Sequence, residues 1–321
     1  MRSRESTVLV TGGLGYIGSY VVTRLVDAGW KVRIADNRYR SDPAVEARLA
    51  QLDGVEIHEV DVRYRGAVDR VMQGCEAVVH LAAVCLNKSI SDPTESFDVN
   101  LMGTQHVVES AVAHGVRRVI YASSASVYGN PTRLPMAETD LPAPITPYCI
   151  AKLAGEHLLG FHAARSGLSW LGLRFFNVYG PGQPTDAYYT SVVLTFLRRL
   201  AQGDAPVIDG KGEQSMDFVH VDDVARAVIA ALESDATGQV LNVGTGTQTT
   251  VKQLAELLID AVGAEVTPQF RPREVLVTQR EADISRITEV LGWTPMVPID
   301  TGIAEVVEHT VRAESPDVAG A

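Results

Sequence analysis

A tyrosine and a lysine four residues apart are the pair in this sequence best suited to proton transfer. Tyr148 and Lys152 stand at i and i+4 of a predicted helix over 147–166, so both side chains lie on one helical face. An ammonium close to a phenol favours the phenolate and lowers the tyrosine pKa from its ordinary value of about 10. Such a tyrosine can remove the proton of a substrate hydroxyl. The same spacing also occurs on solvated helix faces, so the pair needs support from the rest of the chain.

A serine-rich segment precedes this helix. Residues 123–129 read SSASVYG and follow a strand predicted over 118–122. In a parallel α/β sheet, the carboxyl ends of the strands and the helices that follow meet at one edge. We therefore expect Ser124 beside Tyr148, where its hydroxyl could share the substrate proton. Ser126 either hydrogen-bonds a substrate or makes a local turn bond.

A glycine-rich turn follows the first strand of the same predicted sheet. Residues 11–18 read TGGLGYIG and contain two overlapping glycine patterns, Gly13-x-Gly15-x-x-Gly18 and Gly12-x-x-Gly15-x-x-Gly18. The turn joins the first strand to the first helix, where glycines permit a tight bend and a close approach of the backbone to a pyrophosphate. This context predicts a dinucleotide site, whereas an isolated glycine pattern would indicate only a tight turn.

An acidic residue at the end of the second predicted strand selects the dinucleotide. Asp36 follows Gly18 by 18 residues, the place where a carboxylate accepts the ribose hydroxyls and repels a 2′-phosphate. Arg38 is close enough in the chain to favour the opposite preference. We predict NAD rather than NADP.

The elements that must position these residues alternate between strand and helix. Short apolar runs rich in Val and Ile predict strands at 7–10, 31–35, 56–59, 77–81, 118–122 and 169–174. Between them, 3.6-residue patterns predict helices at 17–28, 65–73, 96–114 and 147–166. This order predicts an α/β fold, a doubly wound parallel sheet of the Rossmann type.

The alternation ends near residue 175, which divides the chain into two predicted units. Residues 1–175 would form the NAD-binding domain, 176–312 a smaller substrate-binding lobe and 313–321 a tail. The lobe contains loops at 179–186 and 204–215 and predicted helices at 191–202, 221–233, 251–262 and 283–291. The segment at about 216–243 carries two short strands, 218–219 and 240–243, that could rejoin the main sheet.

Composition excludes several classes of protein. The 321 residues are 46% hydrophobic and 21% charged, which fits a globular chain of one or two domains and not a disordered one. The net charge of −11 disfavours nucleic acid and anionic membranes as partners. Three cysteines without metal-ligand spacing predict no disulfide framework and no metal site. No apolar run reaches 18 residues, so we expect a soluble, cytoplasmic protein.

Taken together, these motifs resemble the extended short-chain dehydrogenase/reductase family, in its nucleotide-sugar epimerase and dehydratase branch. The resemblance spans almost the whole chain. Beyond TGGLGYIG and SSASVYG, it rests on further segments. They are Asp61-Val62, His80-Leu-Ala-Ala83, Asn100-x-x-Gly103-Thr104, Tyr148-x-x-x-Lys152, Arg174-Phe-Phe-Asn-Val-Tyr-Gly-Pro181 and Asp217-Phe-Val-His-Val-Asp-Asp223.

The resemblance implies roles for individual residues. It makes Ser124, Tyr148 and Lys152 catalytic and places a nucleotide diphosphate sugar beside NAD. The implied cofactor set is Gly12, Gly15, Tyr16, Ile17, Gly18, Asp36, Asn37, Asp61, Val62, Leu81, Ala82, Ala83, Asn100, Tyr148 and Lys152. The implied substrate set is Ser124, Ser126, Tyr148, Asn177 and Arg271, with the last two at the phosphates. It also implies a homodimer formed through helices 96–114 and 147–166.

Departures from the family pattern narrow the reaction. Dehydratases and decarboxylases carry acidic residues where this chain has Ala125 and Ser126, and C4 epimerisation needs no such acid. We therefore favour epimerisation at C4 of a UDP-hexose, UDP-N-acetylhexosamine or UDP-hexuronate, through a transient 4-keto sugar. Met216 replaces an arginine that contacts the diphosphate in many relatives. Gly182 replaces an arginine of some uronate-handling relatives, which disfavours a carboxylated sugar.

Two other functions stay open from the sequence. A nucleotide-sugar 4,6-dehydratase or UDP-glucuronate decarboxylase would need to find its acid elsewhere in the chain. A non-catalytic NAD-binding regulatory protein would not need the set of Ser124, Tyr148 and Lys152.

Overall fold

A computed structural model describes residues 6–184, 191–272 and 279–314. The strands in chain order are β1 (Thr7–Thr11), β2 (Lys31–Asp36), β3 (Val55–Glu59), β4 (Ala77–His80), β5 (Arg118–Ser124), β6 (Ser169–Phe175), β7 (Asn177–Tyr179), β8 (Val207–Asp209), β9 (Ser215–Met216), β10 (Phe218–His220), β11 (Gln239–Val243), β12 (Thr249–Thr250) and β13 (Gln269–Arg271).

The helices follow the same order. They are α1 (Tyr16–Asp27), α2 (Pro43–Leu49), α3 (Arg65–Met72), α4 (Leu86–Ser91), α5 (Pro93–Phe97), α6 (Gly103–Ala113), α7 (Pro147–Ser166), α8 (Val192–Ala201), α9 (Val221–Glu233), α10 (Val251–Val262), α11 (Ser285–Leu291) and α12 (Ile299–Glu314). A π-helical turn, Asp98–Met102, joins α5 to α6, and a 3-10 turn, Ala125–Tyr128, follows β5.

A seven-stranded parallel sheet forms the centre of the molecule. Its strand order is β11-β6-β5-β4-β1-β2-β3, so the direction of winding reverses at β1. One face packs against α1 and α9, and the other packs against α3, α6 and α7. The α/β doubly wound fold predicted from the sequence is confirmed. In such a sheet, ligands bind at the carboxyl ends of the strands near the reversal point.

The later part of the chain contributes to this sheet and also forms a separate apolar cluster. Gln239–Val243 pairs with Ser169–Phe175 and becomes an edge strand of the main sheet. Phe218–His220 does not rejoin that sheet; it pairs with Asn177–Tyr179 in a two-stranded sheet. Buried side chains of α8, α10 and α12 form the lobe's own cluster.

Several helices differ from the sequence prediction, which did not include α2, α4 or α12. The helix predicted over 96–114 is interrupted by the π-helical turn at Asp98–Met102, because hydrophobic periodicity does not distinguish one wide turn within a long helix. The predicted tail at 313–321 begins too early, since α12 runs to Glu314. Residues 315–321 lie outside the described residues, as do 185 and 186 of the predicted loop and 273–275 after Arg271.

Candidate active site

The glycine turn between β1 and α1 is shaped by close backbone contacts. Gly12 has φ +70°, and a Cβ there would lie 2.8 Å from the backbone nitrogen of Ala82. A Cβ at Gly18 would overlap the carbonyl oxygen of Gly12. Gly15 precedes α1, and the first N–H groups of that helix, from Tyr16 and Ile17, have no acceptor within it. The turn therefore presents amide hydrogens and the positive end of α1 to an anion.

Asp36 lies at the end of β2, and its carboxylate is directed toward the glycine turn. Its two oxygens accept hydrogen bonds from the N–H groups of Leu14 (3.0 Å) and Arg38 (2.8 Å). Burial raises the pKa of the Asp36 carboxyl above its usual value, and the two N–H bonds oppose that rise. Each carboxylate oxygen has a second lone pair, so the group can still accept a ribose hydroxyl.

Arg38 is turned toward two glutamates. Its guanidinium binds Glu46 at 2.7 Å and Glu59 at 2.7 Å. Because both carboxylates already engage this cation, Arg38 does not offer a free charge to a 2′-phosphate. This arrangement agrees with the prediction of NAD.

A chain of hydrogen bonds connects β1, β4 and the helix of Asn100 through a buried histidine. Thr104 Oγ1 donates to the Asn100 carbonyl, so it accepts from His80 Nε2 at 2.9 Å. The other ring nitrogen, Nδ1, then accepts from Thr11 Oγ1 at 2.6 Å. Burial lowers the pKa of His80 to about 3, so the ring stays neutral and keeps this tautomer. The ring therefore has a structural role in joining the three elements.

The loop after β4 is held by the Asn100 side chain. Asn100 accepts a hydrogen bond from the backbone N–H of Val84 at 2.7 Å and donates to its carbonyl at 3.0 Å. The side chain is buried, and both bonds go to the protein backbone. Asn100 thus fixes the segment of Leu81, Ala82 and Ala83 from behind, and its Nδ2 also donates to Ser96 Oγ at 3.2 Å.

Three residues of the implied cofactor set also lie together. Asn37 Nδ2 donates to the Asp61 carboxylate at 3.2 Å, and Arg63 also pairs with that carboxylate. The Val62 carbonyl faces His106 Nδ1 at 3.0 Å, and a Cβ at Gly103 would lie 2.6 Å from Val62 Cγ2. The structure therefore brings Asn37, Asp61 and Val62 to one place beyond the end of β3.

Ser124 ends β5 and caps the 3-10 turn that follows. Its Oγ accepts from the N–H of Ser126 at 3.1 Å and from the Ser126 hydroxyl at 2.9 Å. The Ser124 hydroxyl hydrogen is thereby left to donate to another oxygen. Ser126 is buried and its side chain is engaged by Ser124, so its observed contact is the local turn bond. Ser126 positions Ser124.

Helix α7 places Tyr148 and Lys152 beside β5. Thr146 caps the helix, Pro147 begins it, and the Tyr148 N–H lies 3.3 Å from Ser89 Oγ. Lys152 Nζ donates to the carbonyl of Ala122 at 2.8 Å and lies 5.7 Å from the centre of the Tyr148 ring. Burial lowers the pKa of Lys152 to about 7. The ammonium is therefore poorly solvated and gains from a nearby anion, which a Tyr148 phenolate would supply.

A glycine lets α7 approach the sheet closely. A Cβ at Gly155 would overlap the hydroxyl of Tyr121, a fully buried residue of β5. The Tyr121 hydroxyl lies 3.4 Å from the carbonyl of Lys152. The close contact at Gly155 thus sets the distance between β5 and the turn of α7 that carries Tyr148 and Lys152. The sequence prediction did not include this residue.

A buried ion pair supports the same region and was also missed. Arg174 binds Glu156 through two nitrogens, at 2.9 and 2.7 Å, and Ser123 Oγ donates to the same carboxylate at 2.5 Å. The spacing of Glu156, four residues after Lys152, is a signal that could have placed it on the same helix face. Because this carboxylate is fully engaged, Glu156 is not a proton donor for substrate.

The residues predicted for the substrate phosphates lie on the later lobe. Asn177 Nδ2 donates to the Asp217 carbonyl at 3.2 Å. Arg271 has a side chain 61% exposed, and its guanidinium pairs with Asp209. Met216 lies partly buried against the apolar cluster of the lobe. No described contact joins Arg271 to Ser124, Tyr148 or Lys152.

Within residues 6–184, 191–272 and 279–314, no group of His, Cys, Asp and Glu side chains could hold a metal ion. Over the same ranges, no helix is long and apolar enough to cross a membrane.

Comparisons with known proteins identify the family. Residues 8–244 match the model of the NAD dependent epimerase/dehydratase family. A UDP-glucose 4-epimerase of Mycolicibacterium smegmatis is 37% identical over 311 residues, covering 94% of this chain and 97% of that protein.

Solved structures agree with this assignment. The UDP-glucose 4-epimerase of Thermotoga maritima with UDP-glucose has a TM-score of 0.89 and 34% identity, with 96% of this chain and 99% of that one covered. MoeE5 in complex with UDP-glucuronic acid and NAD has a TM-score of 0.84 and 34% identity, with 96% and 100% covered. The resemblance inferred from the motifs is confirmed, as is NAD as the cofactor: this chain belongs to the NAD-dependent epimerase/dehydratase family, in the extended short-chain dehydrogenase/reductase group.

Proposed function

We propose that this protein epimerises C4 of a nucleotide diphosphate sugar. The observation that carries the proposal is that Lys152 donates to the carbonyl of Ala122 on β5, the strand that ends at Ser124, and lies 5.7 Å from the centre of the Tyr148 ring. Positions 125 and 126 carry no carboxyl group. The three side chains supply a base, a cation that favours the base and a hydroxyl that shares the proton.

The glycine turn and Asp36 fit the dinucleotide. The backbone approach at Gly12 and Gly18 leaves no room for a Cβ, and the start of α1 offers its amide hydrogens to a pyrophosphate. Asp36 would accept a ribose hydroxyl through its remaining lone pairs. Held there, NAD would supply a hydride acceptor for C4 of the sugar.

Proton movement depends on this chain's own residues. Tyr148 as phenolate removes the proton of the C4 hydroxyl, and Lys152 stabilises the phenolate by its charge. Ser124 donates a hydrogen bond to the C4 oxygen, since its own Oγ already accepts from Ser126. After the 4-keto sugar has rotated within the site, so that its other face meets the hydride donor, Tyr148 returns the proton to the C4 oxygen.

The alternative reactions lack a proton donor at the expected place. Dehydration requires an acid for the departing hydroxyl, and residues 125 and 126 are Ala and Ser. The nearby carboxylate of Glu156 is held by Arg174 and Ser123. These contacts support epimerisation over dehydration and decarboxylation.

The relatives support a uridine diphosphate sugar as substrate. The solved structures named above hold UDP-glucose or UDP-glucuronic acid. The proposal therefore names a UDP-hexose, UDP-N-acetylhexosamine or UDP-hexuronate, with Asn177 and Arg271 at the phosphates.

Product analysis on three candidate substrates tests the proposal. Purified protein with NAD would receive UDP-glucose, UDP-N-acetylglucosamine and UDP-glucuronate in turn, with proton NMR and mass spectrometry of the products. We expect a 4-epimer of unchanged mass from at least one of them. A product lighter by water or carbon dioxide would overturn the proposal, as would the absence of any product. The Tyr148→Phe protein serves as the matched inactive control.

We also propose a homodimer that packs α6 and α7 of each copy together. Phe161 and Ile150 on α7 are 57% and 43% exposed, so apolar surface remains available on this helix. Light scattering should give the mass of a dimer, and Phe161→Glu should shift it toward the monomer. A monomeric wild-type protein at micromolar concentration would contradict the proposed dimer. The cytoplasmic location stays a prediction.

A further inference from the structure

The ammonium of Lys152 is buried beside an aromatic ring that the proposed reaction does not use. Lys152 is 3% exposed, and its Nζ donates to the carbonyl of Ala122 at 2.8 Å. The same atom lies 5.1 Å from the centre of the Tyr121 ring and 5.7 Å from that of Tyr148. In the described part of the chain, no carboxylate forms an ion pair with this ammonium. Its charge is therefore stabilised by one carbonyl dipole and two rings, which attract cations within about 6 Å.

The Tyr121 ring is fixed in place by its other neighbours. Tyr121 is a fully buried residue of β5, and the ring of His80 stacks against it with the centres 5.8 Å apart and the planes inclined by 28°. His80 is itself held through both ring nitrogens, by Thr11 and Thr104. The Tyr121 hydroxyl lies 3.4 Å from the carbonyl of Lys152. The ring therefore presents a constant surface to the lysine of α7.

The groups around this contact are neutral or paired. Burial lowers the pKa of His80 to about 3, so its ring carries no charge. Burial also raises the pKa of Tyr121 well above its usual value, so the hydroxyl keeps its proton. Glu156, one turn after Lys152 on α7, is bound by Arg174. A charged histidine stacked on this ring would repel the ammonium, and the neutral one leaves the ring's electrons to the lysine.

We propose that Tyr121 is a positioning residue for the reaction: the face of its ring holds the Lys152 ammonium in place beside Tyr148. This proposal rests on the proposed function, in which Lys152 favours the Tyr148 phenolate. Only the charged form of the lysine favours a phenolate, so a ring that stabilises the ammonium keeps the tyrosine ready to take a proton. Tyr121 acts through Lys152 and makes no contact with the sugar in this proposal.

Titration of Lys152 by NMR tests the contact without the reaction. The parent is the Tyr148→Phe protein with NAD, in which no phenolate forms and the lysine titrates independently of that tyrosine. Lysine labelled with carbon-13 at Cε gives few signals, because the chain contains only five lysines. They are Lys31, Lys88, Lys152, Lys211 and Lys252. The Lys152→Met protein identifies the signal of Lys152 by its loss.

Removal of the ring should make the charged lysine less stable. We expect Tyr121→Leu to lower the pKa of Lys152 by about 0.5 to 1.5 pH units, the range for loss of a desolvated contact between a cation and a ring. Tyr121→Phe keeps the ring and should change this pKa by less than about 0.3. Trifluorophenylalanine at position 121 keeps the shape of the ring but withdraws its electrons, so it should lower the pKa without leaving a cavity.

Trp170→Leu is the matched control. Trp170 is a buried aromatic residue of the same apolar cluster as Tyr121, and the rings described beside the ammonium are those of Tyr121 and Tyr148. Its replacement should leave the pKa of Lys152 unchanged. An equal decrease in this control would overturn the proposal, because the effect would then come from a general loss of packing. Thermal melting checks that each variant folds.

The direction of the change separates a positioning ring from one that only buries the lysine. If the ring only excluded water, its loss would hydrate the ammonium and raise the pKa. An unchanged or raised pKa in the trifluorophenylalanine protein would overturn the proposal, whatever the leucine protein shows.

The pH profile of the reaction links the contact to activity. In the protein that retains Tyr148, Tyr121→Leu should move the acid limb of kcat/KM for epimerisation to higher pH, while Tyr121→Phe should leave it in place. An acid limb at the same pH in both variants would contradict the proposed role in the reaction. If the wild-type protein gave no epimer, the proposed function would fail, and the lysine titration would still decide whether the ring holds the ammonium.

Discussion

The edge of the sheet that carries the catalytic residues and the lobe that faces it are built in different ways. At the sheet edge, Lys152, Glu156 and His80 are almost fully buried, and each makes hydrogen bonds to protein groups. On the lobe, Arg271 is largely exposed and pairs with Asp209. The difference suggests that the reaction is fixed by a rigid, buried network, whereas the choice of substrate depends on a few less constrained side chains.

Removal of the Tyr148 hydroxyl should give the largest loss of activity at the sheet edge. We expect Tyr148→Phe to lower kcat by about 10³-fold, within the range for loss of a general base, while UDP affinity stays near wild type. Steady-state kinetics and calorimetry on the same preparation measure both quantities. A residual rate within tenfold of wild type would show that another group takes the proton.

A methyl group at Gly155 should disturb the sheet edge through packing alone. The added Cβ would overlap the Tyr121 hydroxyl and move α7 away from β5, so we expect kcat/KM to fall about 10- to 100-fold. Gly160→Ala is the matched control on the same helix, because its Cβ would meet Trp170 only at 3.8 Å. Tyr121→Phe added to Gly155→Ala should restore part of the rate. Equal rates for the two glycine variants would show that the close contact is not needed.

Lys152 should make the stability of the NAD-free protein depend on pH. Its pKa is lowered to about 7 in the fold and returns to about 10.5 on unfolding, so the unfolded chain binds the extra proton between these values. Stability should therefore rise with pH across this window, by about 2 kcal/mol from pH 7 to pH 9, relative to Lys152→Met. Urea unfolding at both pH values gives the difference. The same pH dependence in both proteins would contradict the low pKa.

The smallest expected effect concerns the cofactor. Glu46→Gln combined with Glu59→Gln should release Arg38 and improve the use of NADP relative to NAD by about tenfold or less, since Asp36 still opposes the 2′-phosphate. The ratio of apparent affinities for the two cofactors measures this change. Arg33→Gln, which breaks a pair with Glu56 on the same strands, is the control. An unchanged ratio would show that Asp36 alone decides the preference.

The sequence predicted the parallel sheet and helix α7, which carries Tyr148 and Lys152, because both depend on local patterns. Helix α7 was predicted with its observed bounds, since Thr146 and Pro147 mark its start and Gly167 its end. The contacts of Gly155 with Tyr121 and of Glu156 with Arg174 join residues far apart in the chain, and no local spacing reveals them.

The lobe was predicted less completely because its strands are short. The pairs β9–β12 and β8–β13 contain two or three residues per strand, too few for an alternating pattern to appear. Helix α12 was missed. Of the two short strands that the sequence allowed to rejoin the main sheet, Gln239–Val243 does so and Phe218–His220 does not. The assignment of strands to a sheet depends on pairing partners, which a single sequence does not contain.

The central claim is that the sheet edge oxidises C4 and returns the same hydride. Its most direct test uses a UDP-sugar deuterated at C4, with NAD and the wild-type protein in ordinary water, followed by NMR of both epimers. The account predicts that the 4-epimer keeps the deuterium at C4 and that Tyr148→Phe gives no epimer. Loss of the label to solvent, or product from the Tyr148→Phe protein at the wild-type rate, would contradict it.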